Sequence, residues 1–384
     1  MPFCKRKCQY CDFYSVTDFD DYRRYVDALL LQMEDYSASA SSFTVDTIYI
    51  GGGTPTVIPE KYLYDLIDGV YRNFKVFIDA ETTIEANPAT VGLSSLKKLR
   101  RMGVNRISFG AQSMIGSELE TLGRLHGPDD VERTFDMARR AGFDNISLDL
   151  MYGLPGQTRA TLAESLVRIT DLEPEHISLY GLKIEPGTPF DARKDKLDLP
   201  DEETEYTMYE KSIEFLKSRG YDQYEISNFA RKGRECQHNL RYWTCGEYLG
   251  LGPGAHSYFN GFRFSFKRDI SAFIEAMERP ENGVEIIDEN YAITPNERVG
   301  EYIMLALRLT AGIDTAEFTK LFGLDFEKMY RELLKAYVDG GFMRRTEKGY
   351  AFTVKGMYVS NYILSSMLDF DSEIDRNIAN GTDR

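Results

Sequence analysis

The chain has 384 residues, with 61 acidic against 46 basic side chains and a formal net charge of −15. So acidic a surface, without a long run of lysine and arginine, repels phosphate, and we expect no nucleic-acid partner. No apolar run of ~18 residues and no secretory signal occurs, so we expect a cytoplasmic protein. Because a single core stops growing at roughly 250–300 residues, we expect two domains, or one with an appendix.

Three of the five cysteines lie close together near the N-terminus, where Cys4, Cys8 and Cys11 form a C-x3-C-x2-C pattern. Thiolates on one short loop can hold three corners of a [4Fe–4S] cubane, which leaves the fourth iron open to another ligand. A structural zinc needs four ligands and commonly takes them from a second CxxC or a pair of histidines. Here the other two cysteines and all four histidines are distant in sequence. The pattern therefore favours an iron–sulfur cluster over zinc.

Residues 20–230 alternate between helix-period segments and short runs rich in β-branched residues. We predict helices over residues 21–36, 60–74, 93–102, 128–141, 158–172 and 202–218. We predict strands over residues 44–50, 82–86, 106–110, 145–151, 176–182 and 223–227. Such alternation is typical of parallel β/α units, so we expect the α/β class and a partial (β/α)6 barrel over residues 1–230.

Glycine and polar residues lie at or just beyond the ends of successive predicted strands. The carboxyl ends of parallel barrel strands converge, and chemistry gathers there. The glycines let backbone groups approach a ligand closely. Any one of the polar residues alone is better explained as a solvated strand-end group, but a whole set is harder to explain in that way. The set is Gly52, Gly53, Thr54, Glu85, Gln112, Arg124 and Asp149.

Residues 231–293 form a connecting region without a clear period. Residues 238–243 read His-Asn-Leu-Arg-Tyr-Trp and contain the only tryptophan. Neutral imidazole is a common axial ligand of haem iron, and flat aromatic rings can cover the macrocycle. The residues by themselves are better explained as a turn whose His and Asn satisfy backbone groups and whose aromatic rings fill the core. Cys236 and Cys245 are better explained as buried free thiols than as haem ligands, and for His256 a structural role is favoured over that of a second ligand.

Residues 294–384 return to a helical pattern that ends in a small hairpin. We predict helices over residues 297–309, 315–322 and 326–339, a hairpin over residues 342–353 with Lys348 and Gly349 at its turn, and a last helix from Val354. This order resembles an α+β winged-helix module. Such modules commonly bind DNA, but on an acidic chain we favour a packing or lid domain.

Several of these motifs resemble those of one known group. The cysteine pattern, Tyr10 before its last cysteine and the turn Gly51-Gly52-Gly53-Thr54-Pro55 resemble the radical SAM superfamily. More narrowly, they resemble the oxygen-independent coproporphyrinogen III oxidase family over nearly the whole chain. His-Asn-x-x-Tyr-Trp resembles the motif of its haem chaperone (HemW-like) branch. Phe13 stands where the family's coproporphyrinogen dehydrogenases carry a further cysteine, which points to the same branch.

The resemblance implies cofactors and a function. It implies that Cys4, Cys8 and Cys11 hold a [4Fe–4S] cluster that passes an electron from a flavodoxin- or ferredoxin-type donor to S-adenosylmethionine (SAM), which yields a 5′-deoxyadenosyl radical. It implies haem binding through His238 and delivery to haem-requiring respiratory proteins, at the membrane periphery. The resemblance does not decide whether the chain forms a homodimer or which residues are catalytic. By the same resemblance, the SAM-binding residues are Gly52, Gly53, Thr54, Glu85, Gln112, Arg124 and Asp149.

Two rival functions stay open beside the haem chaperone. One is oxygen-independent coproporphyrinogen III dehydrogenase, which acts by oxidative decarboxylation in porphyrin biosynthesis, and the other is radical chemistry on an unrelated substrate. For a chaperone we expect no coproporphyrinogen oxidase activity. The family carries a strand and a tyrosine upstream of the cluster loop that this sequence lacks. We therefore expect a shortened N-terminus and a poorly ordered cluster loop.

Overall fold

The computed structural model describes residues 1–368. Its helices are α1 (Tyr22–Ser37), α2 (Glu60–Asn73), α3 (Leu93–Arg101), α4 (Gly116–Leu122), α5 (Pro128–Ala141), α6 (Arg159–Asp171), α7 (Glu202–Ser218), α8 (Gln237–Trp243), α9 (Ile270–Glu278), α10 (Pro295–Ala306), α11 (Thr315–Phe322), α12 (Phe326–Met329), α13 (Arg331–Asp339), α14 (Val354–Tyr358) and α15 (Ser360–Leu368). Its strands are β1 (Val45–Ile50), β2 (Val76–Ala86), β3 (Arg106–Gln112), β4 (Ile146–Tyr152), β5 (His176–Gly181), β6 (Asp222–Gln223), β7 (Asn228–Ala230), β8 (His256–Phe259), β9 (Phe262–Phe266), β10 (Ile287–Ala292), β11 (Ile313–Asp314), β12 (Met343–Arg345) and β13 (Gly349–Phe352).

Strands β1 to β7 form one curled sheet in the order β1-β2-β3-β4-β5-β7-β6. Strands β1 to β5 are parallel to one another, and this half-barrel confirms the predicted fold class. The strand predicted over residues 223–227 is wrong. In its place the short strands β6 and β7 form an antiparallel hairpin, and β7 pairs antiparallel with β5. The chain reverses direction there because residues 224–227 form the turn.

The two faces of the half-barrel differ in polarity because side chains alternate along each strand. Apolar residues such as Ile107, Leu148 and Ile177 belong to the core that also contains residues of α1, α2, α3, α5, α6 and α7. The opposite face is polar, and the strand register sets its residues side by side, with Ser108 opposite Ser147 and Ser147 opposite His176. We call this face the polar lining. It consists of Thr47, Tyr49, Glu81, Thr83, Glu85, Arg106, Ser108, Ser147, Asp149, His176, Ser178 and Tyr180.

The predicted helices of the half-barrel lie where the structure has α1, α2, α3, α5, α6 and α7, with bounds that differ by at most a residue or so. Helix α4 was not predicted. The helix predicted over residues 326–339 is interrupted, because Tyr330 leaves helical geometry with φ −112° and ψ 18° and separates α12 from α13. The connecting region contains α8, α9 and the antiparallel sheet β10-β9-β8, none of which its irregular sequence pattern indicated.

The C-terminal helices and the sheet β11-β13-β12 form the predicted winged-helix-like module. This module packs on the half-barrel: the Thr310 amide donates to the Tyr224 carbonyl at 3.0 Å, and Glu225 forms an antiparallel bridge with Leu309. The domain limits 1–230, 231–293 and 294–384 stay predictions, and residues 369–384 lie outside the described part. Within residues 1–368 no helix combines the length and apolar character needed to cross a membrane.

The turn between β6 and β7 carries Glu225, whose side chain is fully buried. Burial raises the pKa of this carboxyl from its usual 4.5 to about 7. A carboxyl whose pKa is raised by folding contributes stability below pH 4.5 that is lost as the pH rises toward 7. We expect Glu225→Gln to remove this loss. The free energy of unfolding of the variant, relative to that of the wild type, should therefore rise by about 1–3 kcal/mol from acidic to alkaline pH.

Urea unfolding of the two proteins across this pH range measures the difference. The control is Glu281→Gln, because Glu281 is exposed and its variant should follow the wild-type pH profile. Parallel pH profiles for wild type and Glu225→Gln would contradict the prediction.

Candidate functional site

The loop that carries Cys4, Cys8 and Cys11 is attached to the half-barrel by backbone hydrogen bonds. The amides of Gly53 and Thr54 donate to the carbonyls of Met1 and Phe3 at 2.8 and 2.7 Å. Farther along the loop, the Gln9 amide donates to the Leu122 carbonyl at 3.0 Å. The expectation of a poorly ordered loop stays a prediction, and these bonds count against it.

All three cysteines of the loop are free and partly buried. The Cys4 Sγ lies 3.6 Å from the Thr54 hydroxyl, and the Cys8 Sγ accepts a hydrogen bond from Arg124 Nη1 at 3.3 Å. Burial raises the pKa of Cys11. Among residues 1–368, no three His, Cys, Asp or Glu side chains converge as the ligands of a single metal ion would. A cubane takes each thiolate at a separate corner, and three free thiols on one loop fit that requirement.

The glycine-rich turn after β1 lies directly against the cluster loop. A Cβ on Gly53 would lie 2.6 Å from the Phe3 carbonyl oxygen, so only glycine permits this approach. Gly52 has φ +110°, a conformation that other residues rarely adopt. Its amide donates to Glu85 Oε2 at 2.9 Å. The turn thus brings the cluster loop and the Glu85 carboxylate together.

Two carboxylates of the polar lining lie below this turn. Glu85 Oε1 accepts a hydrogen bond from the Tyr49 hydroxyl at 2.8 Å. Asp149 accepts hydrogen bonds from the Ser108 hydroxyl at 3.1 and 3.2 Å and from the Ser147 hydroxyl at 3.4 Å. Burial raises the pKa of both carboxyls. Asp149 lies inside β4, which continues to Tyr152, and not at a strand end as predicted.

Arg124 follows α4 and reaches back to the strand ends. Its Nη2 donates to the Gly110 carbonyl at 2.7 Å and to Asn87 Oδ1, while Asn87 Nδ2 donates to the Thr54 hydroxyl at 2.7 Å. Gln112, with φ +68°, ends β3 beside Gly110. A solvent-open cleft of about 370 Å³ lies next to Cys8 and is lined in part by Thr54, Asn87 and Arg124. Guanidinium and amide groups therefore surround a space beside the thiols.

His238 lies on α8, which packs against β1. Its Nδ1 lies 2.9 Å from the Thr47 hydroxyl, and its Nε2 lies 2.7 Å from the Tyr242 hydroxyl. Its backbone amide donates to Glu81 Oε1 at 3.1 Å. The imidazole also stacks on the Tyr49 ring, with centroids 5.0 Å apart. Burial and the charge of nearby Arg106 lower the pKa of His238 to about 4, which keeps the imidazole neutral at pH 7.

The residues around the motif have separate environments. Cys236 is a buried free thiol, as predicted, and donates to Glu81 Oε1 at 3.6 Å. Cys245 is also free but only partly buried. His256 is exposed at the start of β8. Trp243 ends α8 and is partly buried.

The sequence did not single out four lining residues that interact with the candidate residues. Thr47, Tyr49 and Glu81 form hydrogen bonds with them, and the charge of Arg106 acts on Asp149 and His238. Their signal was the alternation of polar and apolar residues within each strand, with Thr47 and Tyr49 on the face opposite Ile48, for example. Asn87, which links Arg124 to Thr54, directly follows β2 and gave the same strand-end signal as its neighbours.

Comparison with known proteins gives consistent matches. Residues 1–169 match the Radical SAM superfamily, and residues 293–359 match the HemN C-terminal domain. The chain is 38% identical over 373 residues to a Bacillus subtilis protein named heme chaperone HemW, with 96% of this chain and 97% of the relative covered. It is 35% identical over 375 residues to the Escherichia coli protein of the same name, with 96% of each chain covered.

One solved structure has the same fold over almost the whole chain. It is the coproporphyrinogen III oxidase HemN from Escherichia coli, described as a radical SAM enzyme. The two superpose with a TM-score of 0.82 at 24% sequence identity, and the match covers 96% of this chain and 88% of that one.

The close approach of the glycine turn to the cluster loop is testable. We expect Gly53→Ala to push the loop away, because its Cβ would overlap the Phe3 backbone, and overpacking of this kind costs ~1–3 kcal/mol. After anaerobic reconstitution this variant should retain much less iron and sulfide than the wild type. The matched control is Gly116→Ala, since no atom lies within 4 Å of a Cβ at Gly116. Equal iron and sulfide content in both variants would contradict the expected role of Gly53.

Proposed function

The chain belongs to the radical SAM superfamily and, within it, to the HemW family of haem chaperones, and on that premise we propose that it binds haem through His238 and delivers it to haem-requiring respiratory proteins. The observation that carries this proposal is the neutral imidazole of His238. Iron binds the unprotonated nitrogen of a neutral imidazole, so His238 is in the required state at pH 7.

The contacts of His238 favour one of its nitrogens as the iron ligand. Thr47 belongs to β1 and holds Nδ1 from the half-barrel. Tyr242 lies one turn along α8 and its side chain is 38% exposed, so its hydroxyl can leave Nε2 more easily. We therefore assign haem ligation to Nε2. A hydrogen bond on the other nitrogen orients a ligating imidazole and makes it more basic, which is the role we give Thr47.

The same proposal assigns the radical SAM cofactors to residues of the cluster end. Cys4, Cys8 and Cys11 would hold the [4Fe–4S] cluster, and they are free thiols on one loop. When bound, the cluster and SAM supply one-electron chemistry. Five further residues would line the SAM site around its two charged contacts: Gly52, Gly53, Thr54, Gln112 and Asp149.

Two charged residues would fix the amino-acid end of SAM. Arg124 would pair with the carboxylate of SAM, and its Nε is buried without a hydrogen-bond partner among residues 1–368. Glu85 would take the α-amino group. A flavodoxin- or ferredoxin-type protein would supply the electron. Dimerisation of the chain and its attachment to the membrane surface during delivery belong to the same proposal.

The rival activity is the oxidative decarboxylation of coproporphyrinogen III. The likeness to HemN supports a common fold, and at 24% identity it carries no further inference. Phe13 occupies the position where the dehydrogenases carry a further cysteine, and its side chain is 61% exposed. This substitution favours the chaperone over the dehydrogenase.

Replacement of the proposed haem ligand tests the function directly. We expect His238→Ala to lose or strongly shift the absorption bands of bound haem, because Ala offers no ligand to iron, while the absorption of the reconstituted cluster stays intact. His256→Ala is the matched control, since that histidine is exposed and should leave the haem bands unchanged. Unaltered haem spectra in His238→Ala would rule out His238 as the ligand.

An anaerobic assay separates the chaperone from the dehydrogenase. Reconstituted wild-type protein is incubated with SAM, a reductant and coproporphyrinogen III. The porphyrinogens are then oxidised to the corresponding porphyrins, which are separated. We expect no protoporphyrinogen, with HemN from Escherichia coli as the positive control. Formation of protoporphyrinogen by the wild type would rule out a function limited to haem delivery.

A further inference from the structure

We infer that Tyr49 couples the SAM site to the haem histidine, so that SAM and haem each weaken the binding of the other. This inference rests on the proposed function, since it takes Glu85 as a SAM ligand and His238 as the haem ligand. It adds Tyr49 as a positioning residue that contacts both Glu85 and His238, and it gives SAM a regulatory role.

Tyr49 lies between the two sites on the polar lining. Its hydroxyl donates to Glu85 Oε1 at 2.8 Å, beside the glycine turn. The face of its ring stacks on the imidazole of His238, with centroids 5.0 Å apart and planes 26° from parallel. Burial raises the pKa of Tyr49, so its hydroxyl keeps the proton that it donates. A single side chain therefore contacts one residue of each site.

The carboxylate of Glu85 is already engaged at both oxygens. Oε1 accepts from Tyr49, and Oε2 accepts from the Gly52 amide. The α-ammonium group of SAM carries up to three donors and a positive charge, and it would form charge-assisted bonds with these oxygens. The neutral phenol of Tyr49 is the weaker donor. SAM would therefore loosen or displace the Tyr49 hydroxyl from Glu85.

Loss of that hydrogen bond changes how His238 is held. The stacked Tyr49 ring and the Thr47 hydroxyl fix the imidazole in one orientation. A ligand that is held in its binding orientation loses less conformational entropy when it binds. With Tyr49 released, the His238 ring is less well held, and haem affinity falls. By linkage, haem must lower the affinity for SAM by the same factor, for which ~5-fold is the lower end of typical allosteric coupling.

The test uses full-length protein with its cluster reconstituted under anaerobic conditions and without reductant. Haem is titrated by its Soret absorption, with and without saturating SAM. In the wild type we expect SAM to raise the Kd for haem by ~5-fold. Tyr49→Phe keeps the ring but lacks the hydroxyl. Without SAM it should already have the raised Kd of the SAM-bound wild type, and SAM should change it no further.

The control is Tyr221→Phe, which removes the hydroxyl of a fully buried tyrosine. That hydroxyl donates to the Pro174 carbonyl oxygen at 2.8 Å and accepts from Arg231 Nη2 at 3.4 Å. This variant should respond to SAM as the wild type does. As a second readout, equilibrium dialysis of SAM with and without haem should give the same coupling factor in the wild type and none in Tyr49→Phe.

Two results would overturn the coupling while the proposed function stands. They are a wild-type haem Kd that SAM leaves unchanged, and a full SAM response in Tyr49→Phe, each with haem binding still lost in His238→Ala. If the wild type bound no haem, or bound it equally well without His238, the proposed function would fail and the coupling with it.

Discussion

The site depends on one constraint, which is that each strand of the half-barrel has one apolar and one polar face. The apolar face packs against the surrounding helices, so the polar residues line the concave side of the sheet. Polar groups there are shielded from water and must find partners within the lining, as Asp149 does with Ser108 and Glu85 with Tyr49. The arrangement fixes the positions of charged groups on neighbouring strands before any ligand binds. The proposed SAM site and the proposed haem site would both use this preorganisation.

Much of the architecture could be predicted because it is encoded locally. The helices of the half-barrel have apolar residues three and four positions apart, and α5 and α7 begin and end where that period does. The cluster cysteines could be recognised as a set because they lie on one loop. The hairpin β6–β7 could not be predicted, since a short run of β-branched and aromatic residues gives no indication of strand direction. Helix α8 also gave no signal, because at seven residues it is too short to establish a period.

The contacts of His238 could not be predicted for a different reason. Its hydrogen-bond partners Thr47 and Glu81 lie 191 and 157 positions away along the chain. They meet only because β1 and β2 pair in register and α8 folds onto β1. The motif therefore identified the histidine, but the groups that orient it depend on tertiary packing. The C-terminal module takes part in this packing, since α10 contacts α8 and Glu301 pairs with Arg263 at 2.8 Å.

Arg106 acts through its positive charge on Asp149, His176 and His238. It is almost completely buried, and a guanidinium does not lose its proton in a protein. Its positive charge opposes the effect of burial on Asp149, whose pKa would otherwise rise further. The same charge adds to the effect of burial on His176 and His238 and lowers the pKa of both. A single buried cation thus favours the charged form of Asp149 and the unprotonated form of His238, which are the states that the proposed SAM and haem sites would need at the same pH.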